Sequence, residues 1–201
     1  MAHYHPDDFK HLKDNKINTE NKKYKVIYAD PPWSYDSKSL NRGGAERHYK
    51  TTVTSELCKI DVQSICDDDC IIFMWATFPK IKEALELMEA WGFEYKTNAF
   101  TWVKKNKITD SWFWGMGRWT RSNAEICLLV VKGKPRRIGM GVHSVIDSKI
   151  MKHSKKPDIV RDKIIELMGD VPRLEMFARE SAQGWDVFGN EAPNSIEINN
   201  E

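Results

Sequence analysis

Val26-Ile27-Tyr28-Ala29-Asp30-Pro31-Pro32-Trp33 sets an acid, two prolines and an indole directly after an apolar run. The apolar run reads as a buried strand, and the prolines end it. Proline fixes φ and has no N–H for a ladder, so the turn is stiff and its carbonyls are expected to be free acceptors. Ligands of open α/β sheets sit at the carboxyl ends of strands. An acid, rigid acceptors and a flat aromatic face at that edge suit a base that carries an amino group.

Working outward, strands are expected near 25–29, 71–75, 97–103, 125–131, 173–178 and 185–188. A helix runs from Thr54, as N-cap, to about 65. A second has Pro79 at its first position, Ile81, Ala84, Leu85, Met88 and Trp91 at helical spacing, and Gly92 as its stop. A third follows Pro157, with Val160, Ile164 and Leu167 on one face and Gly169 at its end. Long loops fill 34–52, 104–123 and 132–153. Strands alternating with amphipathic helices argue for an α/β fold with a doubly wound, mostly parallel sheet. Residues 1–23 form a polar N-terminal segment, 24–192 a single domain and 193–201 a polar tail. The two later loops are expected to leave the sheet by the same edge as Asp30.

The chain of 201 residues is 41% hydrophobic and 30% charged, which suits one soluble globular domain. No apolar run approaches the ~20 residues of a membrane span. The start, Met1-Ala2-His3-Tyr4-His5-Pro6, lacks a signal-peptide core. A cytoplasmic protein without membrane contact is expected. Cys58, Cys66, Cys70 and Cys127 make no zinc pattern and read as free thiols; the histidines are scattered, so no metal is expected.

The net charge of +2 hides an asymmetry, because 101–161 holds 14 Lys/Arg against 4 Asp/Glu. A basic block of this kind points to a polyanion-binding face. Trp112, Phe113, Trp114 and Trp119 interleave with it, a mixture that stacks bases while neutralising phosphates. Lys104, Lys105, Arg118, Arg121, Arg136, Arg137 and Lys155 are the candidate nucleic-acid contacts. There is no G-x-x-x-x-G-K-[ST] phosphate loop, no G-x-G-x-x-G fingerprint and no H-E-x-x-H.

Eight segments share one resemblance, in one order. They are Ala29-Asp30-Pro31-Pro32-Trp33, His48-Tyr49-Lys50-Thr51, Phe73-Met74-Trp75-Ala76-Thr77, Thr101-Trp102-Val103-Lys104-Lys105, Gly117-Arg118-Trp119, His153-Ser154-Lys155-Lys156-Pro157, Leu174-Glu175-Met176-Phe177-Ala178-Arg179 and Gly184-Trp185-Asp186-Val187-Phe188-Gly189-Asn190-Glu191. Together they resemble the DPPW-type N6-adenine methyltransferases. That family includes the catalytic subunit of the eukaryotic messenger-RNA adenosine methyltransferase and bacterial and phage relatives that modify DNA. The resemblance implies a Rossmann-like methyltransferase fold with permuted motif order, catalytic turn first and cofactor strand late. Phe177-Ala178-Arg179 stands where many DNA amino-methyltransferases carry F-x-G-x-G, which points to the DPPW subgroup.

The same resemblance implies S-adenosylmethionine as methyl donor, S-adenosylhomocysteine as product and no metal. Asp30, Pro31, Pro32 and Trp33 would be catalytic, with Asp30 and the Pro31 carbonyl accepting the N–H bonds of adenine N6. Trp33, Tyr49 and Lys156 would meet the base. Asp30, Lys156, Glu175, Phe177, Arg179, Asn190 and Glu191 would meet the cofactor, Lys156 through the methionine carboxylate and Arg179 near the ribose. The compact chain, without eukaryotic-style extensions, favours a bacterial or phage enzyme acting on adenine in DNA, flipped out or single-stranded. The same reaction on RNA is one alternative. A catalytically inactive nucleic-acid-binding partner subunit is another, against which the intact Asp30 argues. A homodimer or a partner subunit stays open.

Overall fold

A computed structural model describes residues 17–18, 22–34, 52–117, 119–152, 155–189 and 191–198. Its elements are β1 (Ile17–Asn18), β2 (Tyr24–Ala29), α1 (Thr54–Leu57), β3 (Cys66–Ala76), α2 (Ile81–Ala90), β4 (Glu94–Lys105), β5 (Ala124–Lys132), β6 (Val145–Lys149), α3 (Ile159–Met168), β7 (Arg173–Ala178), β8 (Asp186–Gly189) and β9 (Glu197–Ile198). Short 3-10 turns at Val62–Ile65 and Phe78–Lys80 precede β3 and α2.

Seven strands form one sheet in the order β6-β4-β5-β3-β2-β7-β8. The pairs β2–β3, β2–β7, β7–β8 and β4–β6 are parallel. Only β5 runs against its neighbours, β3 and β4. The sheet is thus mostly parallel, as the alternation of strands and helices implied. β1 and β9 pair separately, antiparallel.

Alternation along the strands divides the core. Ile27 and Ala29 of β2 face a cluster with Leu57, Ile65, Ala84, Leu87, Met88 and Trp91, under α1 and α2. Val26 and Tyr28 face the other side, with Phe73, Trp75, Trp102, Val160, Ile164 and Met168, under α3. Helices therefore cover both faces of a Rossmann-like sheet. No helix among the described residues is long and apolar enough to cross a membrane.

Several element boundaries differ from the sequence reading. The helix expected from Thr54 to about 65 is broken in two. The Asp61 side chain accepts from the Ser64 N–H at 3.2 Å and starts a new turn there. Thr54 is the first helical residue rather than the cap, which falls at Val53. Pro79 lies in the 3-10 turn ahead of α2. The expected helix stops hold: Gly92 and Gly169 sit at φ +75° and +81°, conformations that disfavour a side chain.

The largest difference is β6, which lies inside the expected loop 132–153. As an edge strand it buries only Ile146, too little for an alternating pattern to announce it. Its presence moves the basic loop. β5 descends, so residues 133–144 leave from the edge opposite Asp30. Ile138 and Gly139 donate to the Leu167 carbonyl at the end of α3, at 2.8 and 3.0 Å. Arg136 and Arg137 are therefore at the far edge, contrary to the expected placement. Lys155 and Lys156, after β6, return to the Asp30 edge.

Leu87 is fully buried on α2, whereas Leu85 on the same helix is only partly covered. Leu87→Ala should lower unfolding stability by about 2–5 kcal/mol and Leu85→Ala by clearly less, measured by urea denaturation with an unchanged slope.

Candidate active site

β2 and β7 are parallel neighbours, with Ala29 opposite Met176. Their adjacent carboxyl ends bring Asp30 beside Phe177, across a chain separation of nearly the whole domain. The turn after Asp30 is closed by its own backbone. The Trp33 N–H donates to the Pro31 carbonyl at 2.8 Å, and the Thr52 N–H donates to the Pro32 carbonyl at 2.7 Å. The carbonyls are thus not free, contrary to the sequence reading. A carbonyl oxygen has two lone pairs, and among the described residues Trp33 N–H alone donates to the Pro31 oxygen.

Trp33 also differs from its expected role. It is 4% exposed, within the core cluster, and its indole N–H donates to the Trp75 carbonyl at 3.1 Å. In this arrangement the indole anchors the turn to β3, and its faces are packed. It is a strut under the acid rather than an open platform for a base.

Asp30 is held by a cation. Lys156 Nζ donates to Oδ1 and Oδ2 at 2.8 and 2.7 Å, and lies 3.4 Å from a Glu125 carboxylate oxygen. Glu125, at the start of β5, also accepts from Lys104 Nζ. The four charges alternate in sign: Lys104, Glu125, Lys156, Asp30. The Lys156 ammonium sits 5.6 Å from the Trp75 ring centroid, whose N–H donates to the Tyr28 hydroxyl at 2.7 Å. Aromatic faces and acids thus fix the ammonium from several sides.

The Asp30 side chain keeps 28% of its surface open. Burial pushes its pKa above the ordinary aspartate range, and the Lys156 charge opposes that rise. Burial also pushes Glu125 upward, but Lys156 and Lys104 outweigh it and hold Glu125 below the usual range. The two acids therefore differ: Glu125 is a fixed anion, whereas Asp30 is the more proton-avid one.

The wall beside Asp30 comes from β7. Glu175 accepts from Arg161 Nε and a terminal guanidinium nitrogen at 2.7 and 2.8 Å, a bidentate pair across to α3. Burial pushes Glu175 up, with Arg161 opposing; burial disfavours the guanidinium charge in turn, but Glu175 keeps it charged. Phe177 takes φ 62°, an uncommon conformation for a bulky residue, and its ring meets Phe188 edge-on at 6.3 Å. The register of β7 against β8 shifts at this residue, which lines the cleft.

Asp30, Lys155, Lys156, Glu175, Phe177, Arg179 and Glu191 line one open cleft. Pro31, Pro32 and Trp33 are buried behind it. Lys105 ends β4, Arg121 lies in the segment between β4 and β5, and Lys104 belongs to the charge row rather than to an open surface. Tyr49, Arg118 and Asn190 lie outside the described residues.

Four further groups join the site without having been singled out from sequence: Tyr28, Lys152 and Arg161 in the cleft wall, and Glu125 behind Lys156. Glu125 carried a signal, an acid opening a strand that is otherwise apolar.

A model of the MT-A70 family matches residues 24–191. The chain is 40% identical over 197 residues to the Type II methyltransferase M.MunI of Mycoplasma sp, covering 88% of this chain and 82% of that protein. It is 28% identical over 173 residues to the N(6)-adenosine-methyltransferase catalytic subunit METTL3 of Homo sapiens, covering 84% and 28%. It is 29% identical over 180 residues to the MT-A70-like N(6)-adenosine-methyltransferase of Arabidopsis thaliana, covering 88% and 24%. It spans most of the first relative and about a quarter of each of the other two.

Because Lys156 opposes the upward push of burial on Asp30, Lys156→Met should raise the Asp30 pKa further. A pH titration of the Asp30 carboxyl-carbon NMR shift reads this directly. An unchanged or lower midpoint would show that the ion pair does not set the charge of Asp30.

Proposed function

The chain belongs to the MT-A70 family, and on that footing we propose that it methylates N6 of adenine in DNA, with S-adenosylmethionine as donor. The observation that carries the reading is the Asp30–Lys156 pair at the mouth of the cleft between β2 and β7. The preference for DNA over RNA rests on the fuller likeness to the Type II methyltransferase than to the N(6)-adenosine enzymes. On this reading the protein works in the cytoplasm of a bacterial or phage-infected cell.

The residues present suit the donor. The cleft combines an aromatic wall at Phe177, acids at Glu175 and Glu191, and cations at Lys152 and Arg179. Lys156 is committed to Asp30 and Glu125. We therefore assign the methionine carboxylate to Lys152, which lines the cleft and is in no ion pair among the described residues, rather than to Lys156. S-adenosylmethionine supplies an electrophilic methyl on a sulfonium.

The protein's part is to make the amino nitrogen reactive. Adenine N6 is a poor nucleophile, because its lone pair is delocalised into the ring. Asp30 would accept one N–H, and the remaining Pro31 lone pair the other. Both bonds favour a pyramidal nitrogen whose lone pair points at the methyl. As the new N–C bond forms and the S–C bond breaks, N6 gains positive charge and then releases a proton. Asp30, pushed upward by burial, is suited to accept it. Lys156 keeps the carboxylate charged and aimed before that moment. Preorganised acceptors and positioning would supply most of the acceleration.

Asp30→Ala should lower transfer about a hundredfold or more while S-adenosylhomocysteine binding stays detectable by calorimetry. Labelled S-adenosylmethionine, offered with DNA and with RNA, should leave N6-methyladenine in digested DNA. Label in RNA alone would transfer the reading to that polymer, and a fully active Asp30→Ala would sink the mechanism.

A further inference from the structure

The eight tryptophans divide by exposure. Trp33, Trp75, Trp91, Trp102 and Trp185 are buried in the two core clusters. Trp112, Trp114 and Trp119 are 45%, 60% and 95% exposed, all within the segment that joins β4 to β5. We infer that this segment is a stacking platform for unpaired DNA bases that flank the target adenine. The inference rests on the functional reading above, from which it takes the polymer.

The segment is built, not slack. Asn106 donates to the Ser111 carbonyl at 2.9 Å, Phe113 to Lys104 at 2.9 Å and Gly115 to Ser122 at 2.7 Å. Lys105 and Trp112 form an antiparallel bridge. A Cβ on Gly115 would stand 2.6 Å from the Ser122 oxygen, and one on Gly117 would stand 1.9 Å from that of Thr120. Glycine is what lets the tip close. The backbone is thus tied at Asn106, Phe113 and Gly115, Lys105 lies over the Trp112 ring, and the indoles of Trp114 and Trp119 stand largely in water. A tied backbone lowers the cost of ordering this segment on binding.

Charge points to a nucleic-acid strand as the occupant. Asp110 is the one acid between β4 and β5, and Lys149 lies 3.7 Å from it. Lys104 and Lys105 are in ion pairs with Glu125 and Asp147. Among the described residues, Lys107 and Arg121 of this segment are in no ion pair and remain available to phosphates. Indoles beside available cations bind single strands by stacking and charge together. Position agrees: the segment springs from Lys104, the first member of the charge row that ends at Asp30. A base stacked here would lie on the strand that enters the site.

The test uses Trp114→Ala and Trp119→Ala, with Trp114→Phe and Trp119→Phe as conservative partners. Binding to a fluorescent single-stranded oligodeoxynucleotide containing adenine is measured by anisotropy, with S-adenosylhomocysteine affinity and sedimentation velocity alongside. Each alanine variant should weaken oligonucleotide binding roughly 5- to 150-fold. The phenylalanine variants should recover most of that, with cofactor affinity and oligomeric state unchanged. Alanine variants that bind and methylate as the parent does would overturn the stacking platform alone. Variants that lose self-association yet keep oligonucleotide affinity would do the same, assigning the indoles to a second copy of the chain. A parent protein that neither binds nor methylates DNA would overturn this inference together with the functional reading.

Discussion

Lys156 joins parts of the chain that lie far apart in sequence. Its ammonium reaches Asp30 at the end of β2 and Glu125 at the start of β5, while its backbone leads into α3. Lys104 continues the row to β4. Removing an ion from water costs several kcal/mol, and a pair repays that only with good geometry. Alternation is the solution here, since each interior member of the row has an opposite charge on both sides. The arrangement also makes the site sensitive, because deleting one member leaves a neighbour unbalanced.

The sheet order makes that row useful. β2 lies between β3 and β7, so a turn early in the chain shares an edge with a strand late in it. Permutation of the motifs is thereby invisible in space. Asp30 and Phe177 both stand just past the register pair Ala29–Met176. The Arg161–Glu175 pair braces β7 against α3, as Lys156 braces β2 against the approach to that helix. The cleft is walled by these two braces, which hold its acids and cations at fixed separations.

Much of this was legible in the residues. A proline pair must end a strand, so the position of Asp30 followed from local chemistry alone. Gly92 and Gly169 ended helices because their conformations exclude side chains. β6 was hidden because an edge strand with one buried residue has no pattern to read. With it went the placement of Arg136 and Arg137, since one unseen strand reverses the edge that a loop occupies. Trp33 is packed where an open face was expected, for a different reason. An indole at a strand end is equally suited to packing and to stacking, and only its bond to the Trp75 carbonyl distinguishes the two. Trp112, Trp114 and Trp119, set in the basic stretch, stand exposed instead.

The account stands on one spatial claim: the methyl donor lies in the cleft between the ends of β2 and β7, with its reacting group against Asp30. A crystal structure with S-adenosylhomocysteine tests it most directly. The account predicts the nucleoside beside Phe177 and Arg179, with the thioether sulfur facing the Asp30 turn. A ligand bound elsewhere on the sheet edge, with Asp30 and Lys156 out of its reach, would contradict it.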